Sequence, residues 1–191
     1  MKSITIYISC LFIGGCAVFS ARQIPEGGST IEQFTSDPTC NSTQLSPVFV
    51  GDEPGEAWKN KVLSSAQTVG QVLASDDFAQ RCQSLNLIMT RGETVQEVCR
   101  RLVCAGDVSP DIGFYYDQHT RAIAYEEDGA LYINTAKGSQ GAGGVGNIAH
   151  EFTHTLGYKH FTNFALLGSY SVPYEVGELV EELKEIAEPA L

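Results

Sequence analysis

Three of the four histidines of this chain lie within eleven consecutive residues, and this segment constrains the fold more than any other. His150 and His154 are four residues apart in a stretch with helical spacing, so both side chains project from one face of a helix. Gly157 accepts the positive φ that a sharp turn out of the helix requires. The turn brings His160 back towards the other two rings. The segment therefore predicts a metal site where a helix ends in a sharp turn.

Glu151 directly follows the first of these histidines and adds a reactive group to the predicted site. Three nitrogen ligands leave the fourth position of a tetrahedral zinc ion open for water, which is typical of a catalytic site. A neighbouring carboxylate can take a proton from zinc-bound water, whose pKa the metal lowers. We therefore expect Zn²⁺ to be bound by His150, His154 and His160, with Glu151 as the general base.

The spacing HExxHxxGxxH, from His150 to His160, resembles the motif of the metzincin metallopeptidases. The resemblance is specific in these eleven residues and general elsewhere. It implies an α+β, zincin-like fold: a small twisted sheet with a mostly antiparallel edge, a backing helix, an active-site helix and a C-terminal helix. It also implies a zinc-dependent endopeptidase that hydrolyses a peptide or protein substrate. The alternative is a non-catalytic envelope lipoprotein that holds zinc and binds a partner.

Metzincins also carry a methionine in a tight turn beneath the metal, and here the chain departs from the family pattern. Its only methionines, Met1 and Met89, both precede the histidines. The equivalent turn is Tyr170-Ser171-Val172-Pro173-Tyr174. Aligned on the tyrosine of such turns, Val172 takes the methionine position, and the resemblance implies that Tyr174 is a second catalytic residue, which stabilises the oxyanion. The other interpretation of Tyr174 is a residue in the first turn of a helix, packed on the core.

A thermolysin-like site, in which a glutamate of the next helix is the third zinc ligand, is a rival assignment. Four glutamates between residues 175 and 182, the first of them Glu175, are available for it. We expect these carboxylates on the solvated face of a C-terminal helix over about residues 174–187. His160 already has the spacing of a third ligand, so the glutamates are not needed.

Hydrophobic spacing predicts the remaining helices and strands. A helical pattern from about Glu56 to Ser84 breaks near Ser75, and by the resemblance its first part, around Trp58–Leu73, is the backing helix. A further helix is expected over Glu93–Ala105, and strands over Pro47–Val50, Leu85–Met89 and Ile112–Tyr116.

Asp128-Gly129 separates two short β runs and predicts a hairpin. The first strand is Ala122–Tyr125 and the second is Ala130–Thr135. By the metzincin resemblance, Ala130–Thr135 is the edge strand above the cleft. A substrate peptide would add to it as an antiparallel strand, with main-chain hydrogen bonds supplying affinity.

The N-terminal residues have the pattern of a targeting segment rather than of a folded element. Residues 1–15 combine Lys2 with a short apolar run that ends in Ile13-Gly14-Gly15-Cys16, which resembles the lipobox of bacterial lipoproteins. We expect a signal peptide over 1–15, a lipid on Cys16, a tether over 16–47 and the catalytic domain over 48–191. The expected location is the bacterial outer membrane or cell surface. The alternative is an ordinary secretory signal, cut near residues 20–22, and a periplasmic or secreted protein.

Four cysteines remain after the signal, and an even number in an exported protein favours two disulfides. Cys40, Cys82, Cys99 and Cys104 allow three pairings. A bond between Cys99 and Cys104 is not expected, because a five-residue offset on a helix points the two side chains apart. The alternative for Cys40 or Asp37 is a latency ligand on the zinc, although a disulfide is the better interpretation for Cys40.

The net charge of −11 restricts the partners. Nucleic acid and anionic membrane surfaces would both repel such an acidic chain. We therefore expect no nucleic-acid partner, membrane contact only through the lipid anchor at Cys16, and a monomer.

Overall fold

The structure, a computed structural model, describes residues 31–52, 54–88, 90–160 and 170–187. The predicted signal peptide and Cys16 lie outside these residues. The helices are α1 (Ile31–Thr35), α2 (Glu56–Leu73), α3 (Asp76–Cys82), α4 (Val95–Val103), α5 (Val145–Thr155) and α6 (Val172–Ala187), with a 3₁₀ helix at Thr135–Gln140. The strands are β1 (Asn41–Leu45), β2 (Val48–Phe49), β3 (Ala105–Val108), β4 (Asp111–Tyr115), β5 (Ala124–Glu127) and β6 (Ala130–Asn134).

Two small sheets and these helices confirm the mixed α+β class. β2, β4 and β6 run parallel in a four-stranded sheet, and β5 joins β6 as an antiparallel edge strand. β1 and β3 form a separate parallel pair. The predicted break near Ser75 is also confirmed: its side chain caps α3 by accepting a hydrogen bond from the Phe78 amide.

The hairpin forms where predicted, but the prediction that Ala130–Thr135 is the edge strand was wrong. Asp128 (φ 52°) and Gly129 (φ 84°) both adopt the positive φ that a two-residue hairpin turn needs. β6 also pairs in parallel with β4 along its whole length, so it lies inside the sheet. The edge is the first hairpin strand, β5. The hydrophobic periodicity located both strands. Their order in the sheet depends on the pairing of β6 with β4, which is distant in sequence.

The folded part begins earlier than the expected boundary at residue 48. α1 places Phe34 in the core with 2% of its surface exposed. β1 pairs with β3, a strand that the sequence analysis missed because its first residue, Ala105, was assigned to the end of a helix. Residues 31–47 of the predicted tether therefore belong to the folded domain. The strand predicted over Leu85–Met89 does not form in the described residues, where Ile88 makes only an isolated bridge.

Two disulfides are present among the described residues, as expected, and neither joins Cys99 to Cys104. Cys40 pairs with Cys104, and Cys82 pairs with Cys99. Such bonds indicate an oxidising, extracellular type of environment. None of the helices in the described ranges is long and apolar enough to cross a bilayer.

Helices α5 and α6 pack against each other at a pair of glycines. A Cβ added at Gly177 would lie 2.9 Å from the carbonyl oxygen of Gly146, which is closer than real Cβ atoms come. Because glycine has no side chain, the two backbones can approach closely. This contact holds the first turn of α6 against the face of α5 that carries His150, which lies 3.2 Å from the same hypothetical Cβ.

Candidate metal centre

The three histidines predicted as ligands converge on one point beside α5. Nε2 of His160 lies 3.2 Å from Nε2 of His150 and 3.1 Å from Nε2 of His154. Together the three side chains form a cluster that can hold a metal ion. His150 and His154 are one turn apart on α5, and Gly157 makes the turn that returns the chain to His160, with φ of 87°.

The spacing of these nitrogens fits a zinc ion. Tetrahedral zinc with Zn–N bonds of about 2.0–2.1 Å places its nitrogen ligands about 3.3 Å apart. The two Nε2–Nε2 distances to His160 are close to that value. Imidazole is also a donor that zinc prefers.

Hydrogen bonds on the far side of two rings leave the converging nitrogens free of protons. Nδ1 of His154 lies 2.7 Å from the carbonyl oxygen of Tyr158, so Nδ1 donates and Nε2 keeps its lone pair. The His150 ring bonds to the backbone of Pro173, which has only a carbonyl to offer. Burial, followed by the charges of the other two histidines, lowers the pKa of His150 to about 3. Burial also lowers the pKa of His160.

Glu151 lies beside the converging nitrogens and is largely shielded from water. Its Oε2 is 4.0 Å from Nε2 of His154, and 7% of the residue is exposed. Burial, helped by the charge of Glu126, raises the pKa of Glu151 to about 7, while a hydrogen bond from Asn147 acts in the opposite direction. A cation bound nearby would favour the ionised carboxylate.

Tyr174 packs directly against two of the histidines. Its ring centroid lies 4.8 Å from that of His150 and 4.7 Å from that of His160. The residue sits in the first turn of α6 and is 42% exposed, so it is not a core residue. The residue lines the cleft that contains the histidines.

A loop before α4 holds the turn that carries His160, and sequence reasoning missed it. Nη1 of Arg91 donates to the carbonyl oxygen of Leu156 at 2.9 Å. The hydroxyl of buried Tyr158 donates to Oε2 of Glu93 at 2.6 Å, and Glu93 also pairs with Arg101. The one local signal is Gly92, which indicates a turn. Its neighbour Arg91 has a positive φ of 61°. That signal marks a turn but does not identify its partner.

The histidines open into a cleft between the sheet edge and α6. One wall is formed by the chain from Arg121 to Glu126, which includes most of β5, and the other by Tyr174 and Glu178 of α6. β5 pairs only with β6, so its outer edge carries unpaired main-chain groups within the described part of the chain.

The glutamates of α6 do not form a simple solvated face. Glu175 is buried, with 3% of its surface exposed, so the expectation for this residue was wrong. Glu181 accepts a hydrogen bond from the amide of Gly146, at the start of α5, and pairs with Lys184. Glu182 pairs with Arg81. These carboxylates join α6 to its neighbours, and none belongs to the metal-ligand cluster found among the described residues.

The proposed latency ligands are engaged elsewhere. Cys40 is in a disulfide with Cys104. Asp37 accepts hydrogen bonds from the backbone and side chain of Thr39, which lower its pKa, and it pairs with Arg100.

Comparison with known proteins adds no assignment: no protein family model matches the chain, and no curated protein or solved structure is significantly similar to it.

Proposed function

We propose that this chain is a zinc-dependent endopeptidase with a metzincin-like, zincin type of catalytic domain. The observation that carries the proposal is the convergence of three Nε2 atoms beside a buried carboxylate, that of Glu151. A closed structural zinc site would need a fourth protein ligand. It would also leave a buried carboxylate next to the metal without a role.

His150, His154 and His160 would hold the zinc ion, which would act as a Lewis acid that polarises a carbonyl and lowers the pKa of water. Glu151 takes the proton of the attacking water and delivers it to the leaving amine. Asn147 contacts Glu151 at 3.4 Å and limits its orientation. Tyr174, held against two of the histidine rings, donates a hydrogen bond to the oxygen on which negative charge develops.

The substrate is a peptide in an extended conformation that adds to the outer edge of β5. The edge offers main-chain N–H and C=O groups along the same cleft wall that faces the histidines. Antiparallel addition gives the more stable hydrogen-bond pattern. Binding by the main chain suits an endopeptidase, because it does not require a chain terminus in the cleft.

Metal analysis combined with cleavage of a degenerate peptide library tests the proposal. We expect one zinc per chain, cleavage by the wild type, and loss of cleavage by at least about 1,000-fold in Glu151→Gln with zinc retained. Glu178→Gln makes the same chemical change on the opposite wall of the cleft and should keep most of the activity. Zinc binding without cleavage in the wild type would contradict the peptidase and favour a zinc-holding binding protein.

We also propose that the chain is exported and anchored through a lipid on Cys16. The apolar run followed by Gly14-Gly15-Cys16 supports the anchor, and the two disulfides fit an oxidising compartment. The intact mass of the mature protein tests the anchor. A mature chain that starts at residue 16 should carry the added mass of the lipid, and Cys16→Ala should remove it.

A further inference from the structure

A small apolar cavity opens beside the candidate metal centre and is not used by the chemistry described above. Its volume is about 50 Å³. The apolar lining comes from the buried side chains of Ile112, Leu131, Ile148 and Phe152, with Leu45 and two prolines.

The cavity adjoins the cleft that contains the histidines. Glu126, Glu151 and His154 line both spaces, so they lie at the boundary between them. A group that reached the cavity from the cleft would therefore pass beside the proposed general base. Thr155, an exposed residue in the last turn of α5, lines the cavity but not the cleft.

The direction of β5 fixes which part of a bound peptide reaches this cavity. Residues Arg121–Ala124 line only the cleft, Glu126 lines both spaces, and Gly129 lines only the cavity. The cavity thus lies at the C-terminal end of β5. A peptide that pairs antiparallel with β5 places its N-terminal part at that end. Its residues on the N-terminal side of the scissile bond are therefore the ones near the cavity.

Side-chain alternation on β5 supports this arrangement. The Tyr125 ring stacks on Tyr132 at 5.1 Å, on one face of the sheet. Glu126 points to the opposite face, since successive strand residues alternate, and it lines the cavity together with Glu151. A paired peptide alternates in the same way, so only one of the two residues before the scissile bond can point into the cavity.

We propose that this cavity is a specificity pocket for a small apolar side chain, one or two residues on the N-terminal side of the scissile bond. An apolar cavity of about 150 Å³ holds a benzene-sized molecule. A volume of about 50 Å³ accordingly suits about two or three carbon atoms, as in alanine or valine. The inference rests on the proposed peptidase function and adds the substrate class.

Cleavage-site profiling with the wild type and three variants tests the inference. Wild type should favour Ala or Val over Leu or Phe at one of these two positions by about tenfold or more, the discrimination that one or two methylenes give. Thr155→Leu fills the cavity from its exposed rim and should shift the preference towards glycine. Arg121→Leu alters the cleft at the other end of β5, outside the cavity, and should leave that preference unchanged. Leu131→Val enlarges the cavity and should admit leucine.

Binding to the inactive, zinc-loaded Glu151→Gln variant gives a readout that does not require catalysis. Two peptides are identical except that one has valine and the other tryptophan at the selected position. By calorimetry, the valine peptide should bind about tenfold or more tightly. Equal affinities would overturn the inference. A preference on the C-terminal side, or one that Thr155→Leu does not change, would also overturn it while leaving a Glu151-dependent peptidase intact. Failure of the zinc-loaded wild type to cleave any peptide would instead overturn the proposed function, and the pocket with it.

Discussion

The two halves of the candidate metal centre are built in different ways. His150 and His154 need only a regular helix, because a four-residue spacing places both rings on one face. His160 needs a turn that is held by contacts from residues 65 positions away in sequence, at Arg91 and Glu93. The helical half is therefore specified locally, and the turn half depends on the completed fold. Variants should affect zinc binding mainly through the turn.

The largest effect is expected from Gly157→Ala. The residue has φ of 87°, and an added Cβ would lie 2.5 Å from Nη1 of Arg91. Strain of about 1–2 kcal/mol and displacement of Arg91 should move His160, so zinc affinity should fall at least about tenfold in a chelator competition. Gly51→Ala has similar strain, at φ of 78°, but an open environment, and should bind zinc normally. Equal zinc affinity in the two variants would show that the turn is not the weaker half.

Tyr158→Phe tests the hydrogen bond that joins the turn to Glu93. The bond is partly buried and runs to a carboxylate, so its loss should lower the free energy of unfolding by about 1–3 kcal/mol. Chemical denaturation of the zinc-free protein measures this change. Tyr170→Phe, at an exposed position outside the turn, is the control and should leave the free energy of unfolding unchanged. If Tyr158→Phe left the free energy of unfolding unchanged, packing of the ring alone would hold the turn.

Arg91→Gly separates the role of the side chain from the strain of its backbone. Glycine relieves the positive φ of 61°, which offsets loss of the hydrogen bond to Leu156, so the melting temperature should change little. Zinc affinity should still fall several-fold, because the carbonyl at the end of α5 is no longer held. An unchanged zinc affinity at unchanged stability would remove Arg91 from the support of His160.

The smallest effect on zinc is expected in the helical half, from Asn147→Ala. Asn147 accepts a hydrogen bond from the amide of Gly143 and contacts Glu151. Its loss should leave zinc affinity within about twofold, because the spacing of His150 and His154 does not depend on it. Peptide cleavage should fall several-fold, because Glu151 loses its orienting partner. A large loss of zinc would show that the helix also needs support.

Features of the fold and of the site that are specified locally could be predicted from the sequence, whereas features that depend on distant contacts could not. The shared helix face of His150 and His154, the positive φ at Gly157, the helix break at Ser75 and the hairpin at Asp128 are each set by residues within a few positions of each other. Each was predicted correctly. Their common basis is local backbone geometry, which a short segment specifies by itself.

The features that were missed depend on partners that are distant in sequence. β1 and β3 form a pair although neither has a strong strand pattern, and β6 lies inside the sheet because β4 lies beside it. The sequence disfavoured one of the three disulfide pairings, the one with a Cys99–Cys104 bond, and could not choose between the other two. The glycine beside Arg91 indicates a turn, but nothing local shows that Arg91 and Glu93 hold the turn of His160, because that turn comes from another part of the chain.

The disulfide between Cys40 and Cys104 has a mechanical consequence. Tension applied to the chain ahead of α1 reaches this covalent bond and passes to Cys104, at the C-terminal end of α4. A domain pulled from its N-terminal end would therefore be held at two points of the fold, Cys40 and Cys104, rather than at one.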